Sequence, residues 1–496
     1  MDYKTFIESK KNRFIESGFD VYESDLNENL FDFQKYSLKV AIKKGRFAIF
    51  ADCGLGKTLM QLEWAHQVSL HTDKPVLVLA PLAVVQQTIR EGKKFGIECG
   101  LTSDYMIQIS NYEQLDNIDC SIYSGVVLDE SSILKGKDSK TKNKLLDYFS
   151  DTLYKLCCTA TPSPNDHTEL GNHAEFLGIM KNLEMLAMYF VHDGGETSKW
   201  RLRKHAQDEF WKFVCTWSIS IDNPSTLGFC GENYNLPKIN YIEHIIETNK
   251  DDGLLFREGA VSATDLHKDL RSTLDLRLDK VSEIVNNSDD QWIVWGLQNA
   301  ETDKLKKVIN NSVNVQGSDK PEIKAKNLNG FAKNEFKTLI TKTSIASFGM
   351  NYQNCHNMIF SSYDFKFEAF YQAVRRCYRF GQNEAVNVHI IIPDTQMNVR
   401  KTILEKEMKH KEMIHHMSKY SADTDYTINK NQTATSKEIK NEDYWIMNGD
   451  CVKEIKNIDD NSVGLTIFSP PFAELYVYSD KSEDMGNVSS YDQFCE

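Results

Sequence analysis

Residues 51–58, with the sequence ADCGLGKT, have the types and spacing needed to hold a nucleoside triphosphate. They match a phosphate-binding loop with alanine in place of the leading glycine, so the backbone N–H groups around Gly54 and Gly56 can point into an anion site. Lys57 is placed to reach the terminal phosphates, and Thr58 supplies a hydroxyl for Mg²⁺. The loop therefore predicts ATP and Mg²⁺ as cofactors.

A pair of carboxylates further along the chain is the partner that such a loop requires. Asp129 and Glu130 come directly after the apolar residues 126–128, which predict a buried strand. Ligands of α/β sheets bind at the carboxyl ends of the strands, so both side chains are expected beside the phosphates. Asp129 is predicted to hold Mg²⁺, directly or through water, and Glu130 to polarise the attacking water. The pair indicates hydrolysis as well as binding.

Two elements must position the phosphate-binding loop. Residues 46–50 before it predict a strand that is largely apolar. After it, Leu59, Leu62, Ala65 and Val68 recur at helical spacing and give a helix one apolar stripe to seat against a sheet. A phosphate-binding loop has a strand before its glycine-bearing turn and a helix after it, and this context distinguishes it from a chance glycine-rich turn.

The composition limits the class of protein. At 496 residues the chain is too long for one core and predicts two to four domains. Its longest apolar run, residues 76–85, falls short of the roughly 18 residues that a membrane span needs, so no membrane partner is predicted. The eleven cysteines are scattered without a repeated C-x-x-C pair, which favours reduced thiols in the cytoplasm. The net charge of −13 argues against coating nucleic acid by bulk attraction alone.

Further blocks of the sequence resemble those of the superfamily-two helicases. The blocks are APLAVVQQTIRE from residue 80, ISNYEQL from residue 109 and CTATPSPND from residue 158, and their order matches that superfamily. The resemblance implies that Thr159 and Thr161 couple the ATP state to the grip on nucleic acid, and that Gln34 contacts adenine. The tetrad DESS, residues 129–132, departs from the DEAH or DEGH of members and lacks the histidine that some use in coupling.

The segment FYQAVRRCYRFGQNEAVNVHIII, residues 370–392, closely resembles the last block of Swi/Snf-type translocases, which act on double-stranded DNA. The family's glutamine, two arginines and terminal GQ fall on Gln372, Arg376, Arg379, Gly381 and Gln382. By this resemblance Arg376 and Arg379 face ATP across a cleft, and Gln372 and Gln382 take part in coupling. A guanidinium stays charged and forks onto phosphate oxygens, so inserting it only on closure links hydrolysis to motion.

The resemblance implies an α/β fold with two RecA-like lobes built on parallel sheets. The first lobe is expected over residues 1–170 and the second over residues 234–395. Residues 171–233 between them predict a mostly helical insertion. Four of its apolar residues recur at helical spacing, and they are assigned to a core rather than to a DNA contact: Phe210, Phe213, Val214 and Trp217.

Residues 396–441 predict a charged helix followed by a polar linker. The helix carries three histidines that could suggest a metal site, namely His410, His415 and His416. Because lysine and glutamate are frequent in the same helix, these histidines are assigned to a solvated face and given no ligand role.

Residues 442–496 resemble the first part of an amino-group DNA methyltransferase acting on N4 of cytosine or N6 of adenine. An apolar strand predicted at 463–468 leads into the block Ser469, Pro470, Pro471 and Phe472, which fits the pattern (S/D)PP(Y/F/W). In that family the block binds a flipped-out base: Ser469 and the Pro470 carbonyl accept from its amine, and Phe472 stacks on its ring. Such enzymes bind S-adenosylmethionine with an F-x-G-x-G turn, and the chain contains none. We therefore expect an incomplete methyltransferase that binds S-adenosylmethionine only when a further portion is present.

The sequence as a whole predicts an ATP-dependent translocase on double-stranded DNA, linked to base methylation in a bacterial cell or a phage-infected host. The expected partners are DNA and either the missing methyltransferase portion or restriction-modification subunits. Two alternatives stay open: a strand-separating helicase, and a DNA-binding targeting subunit of a modification system that does not hydrolyse ATP. Stimulation of the ATPase by duplex or by single-stranded DNA distinguishes the translocase from the strand-separating helicase. Nucleotide binding without ATP turnover on any DNA would indicate the targeting subunit.

Overall fold

A computed structural model of the chain describes residues 17–136, 139–193, 196–248, 263–348, 351–421, 437–441, 443–448 and 454–467. It contains two six-stranded sheets, and each neighbouring pair of strands within them is parallel. Parallel strands need crossover connections, and here helices supply them. The predicted α/β class with two parallel-sheet lobes is confirmed.

The first sheet is built from short, mostly apolar strands that are buried on both faces. Its first five strands are β1 Arg46–Ala51, β2 Val76–Ala80, β3 Ile107–Asn111, β4 Gly125–Asp129 and β5 Tyr154–Cys158. Alternate residues of a strand point to opposite faces. In β1, Ala48 and Phe50 accordingly enter one core while Phe47 and Ile49 enter the other.

Seven helices belong to the first lobe across the described ranges. They are α1 Asp32–Lys44, α2 Lys57–Thr72, α3 Val85–Lys94, α4 Lys140–Tyr148, α5 Leu170–Phe176, α6 Asn182–Tyr189 and α7 Gln207–Trp217. The helix predicted after the phosphate-binding loop is α2, and its stripe of Leu59, Leu62, Ala65 and Val68 is buried as expected.

The segment 171–233 differs from the predicted helical insertion. Besides helices it forms an antiparallel hairpin, β6 Phe190–Asp193 with β7 Glu196–Leu202, and a strand β8 Ser218–Ile221. Strand β8 pairs with β1, so the first sheet has the order β3-β2-β4-β5-β1-β8. Its sequence SISI is too short for periodicity to separate a strand from a helix end, which is why the pattern did not reveal it. The aromatic residues of α7 are buried in the core as predicted.

The second sheet forms a separate lobe. Its strands are β9 Ile239–Ile246, β10 Trp292–Gly296, β11 Ser312–Val315, β12 Thr338–Lys342, β13 Asn357–Phe360 and β14 Val386–Pro393, in the order β11-β12-β10-β13-β14-β9. The accompanying helices are α8 Ala263–Ser272, α9 Leu274–Asn286, α10 Asn299–Val308, α11 Pro321–Ala332 and α12 Phe367–Val374. Two buried apolar clusters lie on opposite faces of this sheet.

The long helix α13, Met397–Tyr420, connects the two lobes. Val399 and Ile403 at its start lie in the core of the second lobe, whereas Met413 and Met417 near its end lie in the core of the first. The assignment of His410 to a solvated face is therefore wrong. Its side chain is 3% exposed and packs against two rings of α12, because this part of the helix passes between the lobes.

The described part of the tail is small. Strands β15 Lys437–Lys440 and β16 Trp445–Asn448 pair antiparallel. No strand forms over residues 463–467, whose apolar side chains Val463, Leu465 and Ile467 are exposed, so the predicted strand is not borne out there. An extended apolar segment needs a neighbouring strand to satisfy its backbone, and among the residues that the structure describes this segment pairs with no strand. Across the described ranges, no helix is both long and apolar enough to cross a bilayer.

Candidate nucleotide-binding and catalytic cleft

The phosphate-binding loop lies between β1 and α2, as its sequence predicts. Gly56 caps α2 with φ of 77°, and Gly54 has φ of 93°, so both occupy backbone conformations that favour glycine. A Cβ on Gly56 would lie 2.3 Å from Nε2 of Gln34. The loop therefore presents bare backbone at the amino end of a helix, where N–H groups and the helix dipole favour an anion.

The predicted nucleotide-binding side chains lie around this loop. The Lys57 ammonium donates to the carbonyls of Ala51 and Asp52, at 2.8 and 3.2 Å, and Thr58 follows half-buried in the first turn of α2. Gln34 is buried; its Nε2 donates to the Leu55 carbonyl at 2.8 Å while its Oε1 accepts from the Phe31 N–H at 2.9 Å. The glutamine thus braces the loop itself, a contact that its spacing did not reveal.

The two predicted acidic residues stand at the carboxyl end of β4. Gln61 Nε2 of α2 donates to Asp129 Oδ1 at 2.7 Å, which holds the carboxylate against the helix that follows the loop. The Tyr112 hydroxyl donates to the Asp129 carbonyl at 2.6 Å. Glu130 leaves the strand with φ of 53°, a left-handed conformation that is costly for a residue with a side chain. The short 3₁₀ turn Ser131–Lys135 begins directly after it.

Burial governs the electrostatics of these carboxylates. It raises the pKa of Asp129, and the bond from Gln61 and the charge of Lys57 oppose that rise. Burial also raises the pKa of Glu130 to about 7, and the negative charges of Asp129 and Glu368 add to the rise while Lys57 opposes it. A carboxyl whose pKa is near neutrality can accept a proton at physiological pH, which suits a group that polarises water.

Thr159 connects the Glu130 carboxylate to the next loop. Its hydroxyl donates to Glu130 Oε2 and accepts from the Thr161 N–H, both at 3.1 Å. Both threonine side chains are fully buried. The Thr161 hydroxyl is buried without a hydrogen-bond partner. The predicted coupling pair is therefore adjacent to Glu130, with one hydroxyl committed to it.

The predicted residues of the second lobe meet the phosphate-binding loop across the cleft. A Cβ on Gly54 would lie 3.7 Å from Cβ of Arg379 and 3.4 Å from the Phe380 nitrogen. Arg379 donates to the side chain of Asn351, and the Nε atoms of Arg376 and Arg379 are buried without partners. Burial lowers the pKa of Arg379, whose guanidinium still stays charged. Both arginines thus lie in the segment that faces the loop.

The two predicted coupling glutamines occupy different settings. Gln382 is buried, and its Nε2 donates to the carbonyls of Cys355 and Cys377 at 3.1 and 3.4 Å. It therefore holds the loop before β13 against the arginine segment, residues 376–380. Gln372 lies half-buried on α12. The block Ser469, Pro470, Pro471 and Phe472 lies outside the described residues.

Contacts between the lobes include charged residues that the sequence did not identify as part of the site. Arg375 forms an ion pair with Asp52, the residue that follows β1, and Tyr371 donates to the same carboxylate at 2.7 Å. Glu368 accepts from both Ser132 and Lys135. Arg375 has no assigned role in the family pattern, and only the folded chain brings it to its partner.

The side chains in this cleft fit Mg²⁺. Thr58 and Asp129 offer hard oxygen ligands. Thr58 lies in the first turn of α2, and Gln61 of the same helix donates to Asp129 Oδ1 at 2.7 Å, so both side chains lie close to the start of that helix. Within the described ranges, no group of three or more His, Cys, Asp or Glu side chains could hold a metal by itself. Mg²⁺ in phosphate-binding sites is held by few protein ligands together with phosphate and water oxygens.

Comparisons with known proteins agree with this picture for the second lobe. Residues 277–381 match the helicase conserved C-terminal domain. The match runs from α9 to the glycine after Arg379 and Phe380, so it includes the arginine segment. No curated protein matches the chain.

The solved structures to which this chain is similar include two helicase-type cores. One is the Sulfolobus solfataricus SWI2/SNF2 ATPase core in complex with dsDNA, 17% identical, covering 82% of this chain and 99% of that chain with a TM-score of 0.40. The other is the Pyrococcus furiosus Hef helicase domain, 13% identical, covering 74% of this chain and 97% of that chain with a TM-score of 0.44.

Proposed function

We propose that this chain is an ATP-hydrolysing motor of the superfamily-two helicase type that translocates on double-stranded DNA. The observation that carries the proposal is the meeting of the two lobes at one cleft. The phosphate-binding loop, the Asp129–Glu130 pair and the arginine segment come from distant parts of the sequence, yet Arg379 lies against Gly54. The helicase conserved C-terminal domain that supplies the arginine segment supports the same reading.

Each part of the cleft has a role in this proposal. The backbone around Gly54 and Gly56 and the Lys57 ammonium hold the phosphates, and Gln34 keeps the loop in place beside the adenine. Thr58 and Asp129 hold Mg²⁺, which neutralises charge on the phosphate oxygens when bound. Positioning and electrostatic stabilisation supply nearly all of the catalysis in phosphoryl transfer.

Glu130 orients and polarises the attacking water, and the Thr159 hydroxyl fixes the carboxylate while Thr161 extends the link to the next loop. Arg376 and Arg379 neutralise the charge that develops on the terminal phosphate. Gln382 sets the position of the arginine segment through its two carbonyl contacts.

Duplex DNA is the proposed track because the arginine segment follows the Swi/Snf pattern. The motor is expected to contact phosphates, so it carries no sequence preference of its own. The test is the ATPase rate without DNA, with duplex DNA and with single-stranded DNA, alongside Glu130→Gln. Stimulation by duplex that is lost in the variant supports the proposal. Stimulation by single strands alone supports the strand-separating helicase, and nucleotide binding without turnover supports a targeting subunit.

We also propose that residues 442–496 belong to a DNA amino-methyltransferase that the motor serves. The support is the block of Ser469, Pro470, Pro471 and Phe472. The proposed cofactor is S-adenosylmethionine, and the F-x-G-x-G turn that would bind it is not in this sequence. The test is transfer of a labelled methyl group to DNA after a cofactor-binding portion is added. Transfer that Phe472→Ala abolishes supports the proposal, and no transfer contradicts it.

A further inference from the structure

Helix α12 of the second lobe contacts two loops of the first lobe, the phosphate-binding loop and the turn after Glu130, which we call the catalytic loops. Near its start, Glu368 accepts from Ser132 and Lys135, which lie in the short 3₁₀ turn directly after Glu130. At its other end, Arg375 pairs with Asp52 in the phosphate-binding loop. A helix of eight residues is about 12 Å long and rigid, so its two ends move together.

The contact with the phosphate-binding loop is a buried ion pair. The side chains of Arg375 and Asp52 are 14% and 8% exposed. Arg375 lies over the rings of Tyr371 and Tyr378, at 5.2 and 5.1 Å from their centroids, and donates to the Tyr378 carbonyl at 3.2 Å. Tyr371 donates to Asp52, whose carboxylate also accepts from the Cys53 N–H at 2.6 Å. Removing either charge leaves its partner buried and uncompensated.

The contact with the second catalytic loop involves the residue that departs from the family pattern. Ser132 is the last residue of the DESS tetrad, at the position that DEAH fills with histidine. It is buried, and its hydroxyl donates to Glu368. Lys135 adds an ion pair to the same carboxylate. Ser132, at the position where the family pattern has histidine, thus bonds to Glu368 of the other lobe.

We propose that Glu368 and Arg375 are positioning residues that form a two-point clamp, which sets the two catalytic loops against the arginine segment when the lobes close. The proposal rests on the proposed ATPase function and assigns the regulation of that site. Each clamp contact joins one lobe to the other, so each favours the closed arrangement over an open one. Arg376 and Arg379 follow α12 directly, so the clamp aligns them with the loop that they face.

The two ends of the clamp predict different kinetic effects. The Asp52 end touches the loop that binds phosphates, so Arg375→Gln and Asp52→Asn should each raise the KM for ATP about tenfold or more. The Glu368 end touches the loop that carries Glu130. Glu368→Gln and Ser132→Ala should therefore lower kcat about tenfold, with KM changed less than about twofold.

A double-mutant cycle tests the pair directly. In Asp52→Asn with Arg375→Gln no buried charge is left unpaired, so the double variant should be at least about tenfold less impaired than the product of the single effects, equal to about 1.4 kcal/mol. Lys144→Gln is the matched control, because it removes an exposed ion pair with Asp116 within the first lobe. We expect it to leave both constants unchanged, as exposed pairs contribute little.

The same cycle is measured as the affinity for fluorescent ADP without DNA, which requires no hydrolysis. A wild-type protein that binds ADP but never hydrolyses ATP refutes the proposed function, while the coupling between Asp52 and Arg375 is still measured. Effects of these two residues that multiply within about twofold overturn the clamp. Unchanged kcat in both Glu368→Gln and Ser132→Ala, with thermal unfolding like the wild type, overturns it as well.

Discussion

Replacing Thr159 by valine tests the proposed role of Glu130 with a nearly isosteric change. The valine lacks the hydroxyl that donates to Glu130 and accepts from the Thr161 N–H. A hydrogen bond to a charged group contributes about 1.5–3 kcal/mol and a neutral one about 0.5–1.5 kcal/mol. If only the bond to Glu130 affects the transition state, kcat should fall by about 10- to 150-fold. The KM for ATP should hardly change, because neither bond reaches the loop that binds phosphates.

The assay is steady-state ATP hydrolysis at saturating duplex DNA, with thermal unfolding measured on the same samples. Thr88→Val is the matched control, since Thr88 is also buried in the first lobe and its hydroxyl bonds only the Val84 carbonyl. The control should keep its kcat within about twofold while losing about 1 kcal/mol of stability. A Thr159→Val protein with wild-type kcat would refute the proposed orientation of Glu130 by this hydroxyl.

Four further predictions follow from single residues. Lys57→Ala should reduce ATP hydrolysis by about 100-fold or more, measured as kcat/KM, because the ammonium that we propose contacts the phosphates is lost. Burial lowers the pKa of His410 to about 4, so protonation of this side chain should destabilise the fold in acid. Its contribution to the free energy of unfolding is complete above pH 6.5 and falls by about 1.4 kcal/mol per pH unit from there to pH 4. His410→Phe should remove this part of the pH dependence, measured by urea unfolding. Glu301→Gln should destabilise the second lobe by about 3–5 kcal/mol in the same assay, since Arg277, only 1% exposed, loses its buried partner. Met417→Ala should cost about 2–5 kcal/mol by opening a cavity where α13 enters the first core, and an unchanged melting temperature would contradict that packing.

Local sequence was sufficient for the parts of the site that lie within one strand, turn and helix. The loop from Gly54 to Thr58 could be predicted because its glycines, lysine and threonine are consecutive and the flanking patterns fix their context. The same holds for Asp129 and Glu130, which a buried strand carries to the sheet edge. The apolar pattern of residues 291–295 and 336–341 predicts two buried strands, and β10 and β12 lie within two residues of those bounds.

Contacts between distant segments could not be predicted in this way. Asp52 lies in the predicted loop and Arg375 in the block of residues 370–392, but nothing in either segment indicates that the two pair, and only the meeting of the two lobes makes them a buried pair. His410 was misjudged for the same reason, because a helix rich in lysine and glutamate gives no sign that it runs between two lobes. Strand β8 was missed because four residues carry too little periodicity.

The most direct test of the central claim is displacement of a third DNA strand from a duplex. A motor that moves along double-stranded DNA should strip the third strand from its path when ATP is present, and should leave the underlying duplex paired. Glu130→Gln and a non-hydrolysable ATP analogue should both abolish displacement. Hydrolysis of ATP without displacement, or separation of the duplex strands instead, would contradict translocation on double-stranded DNA.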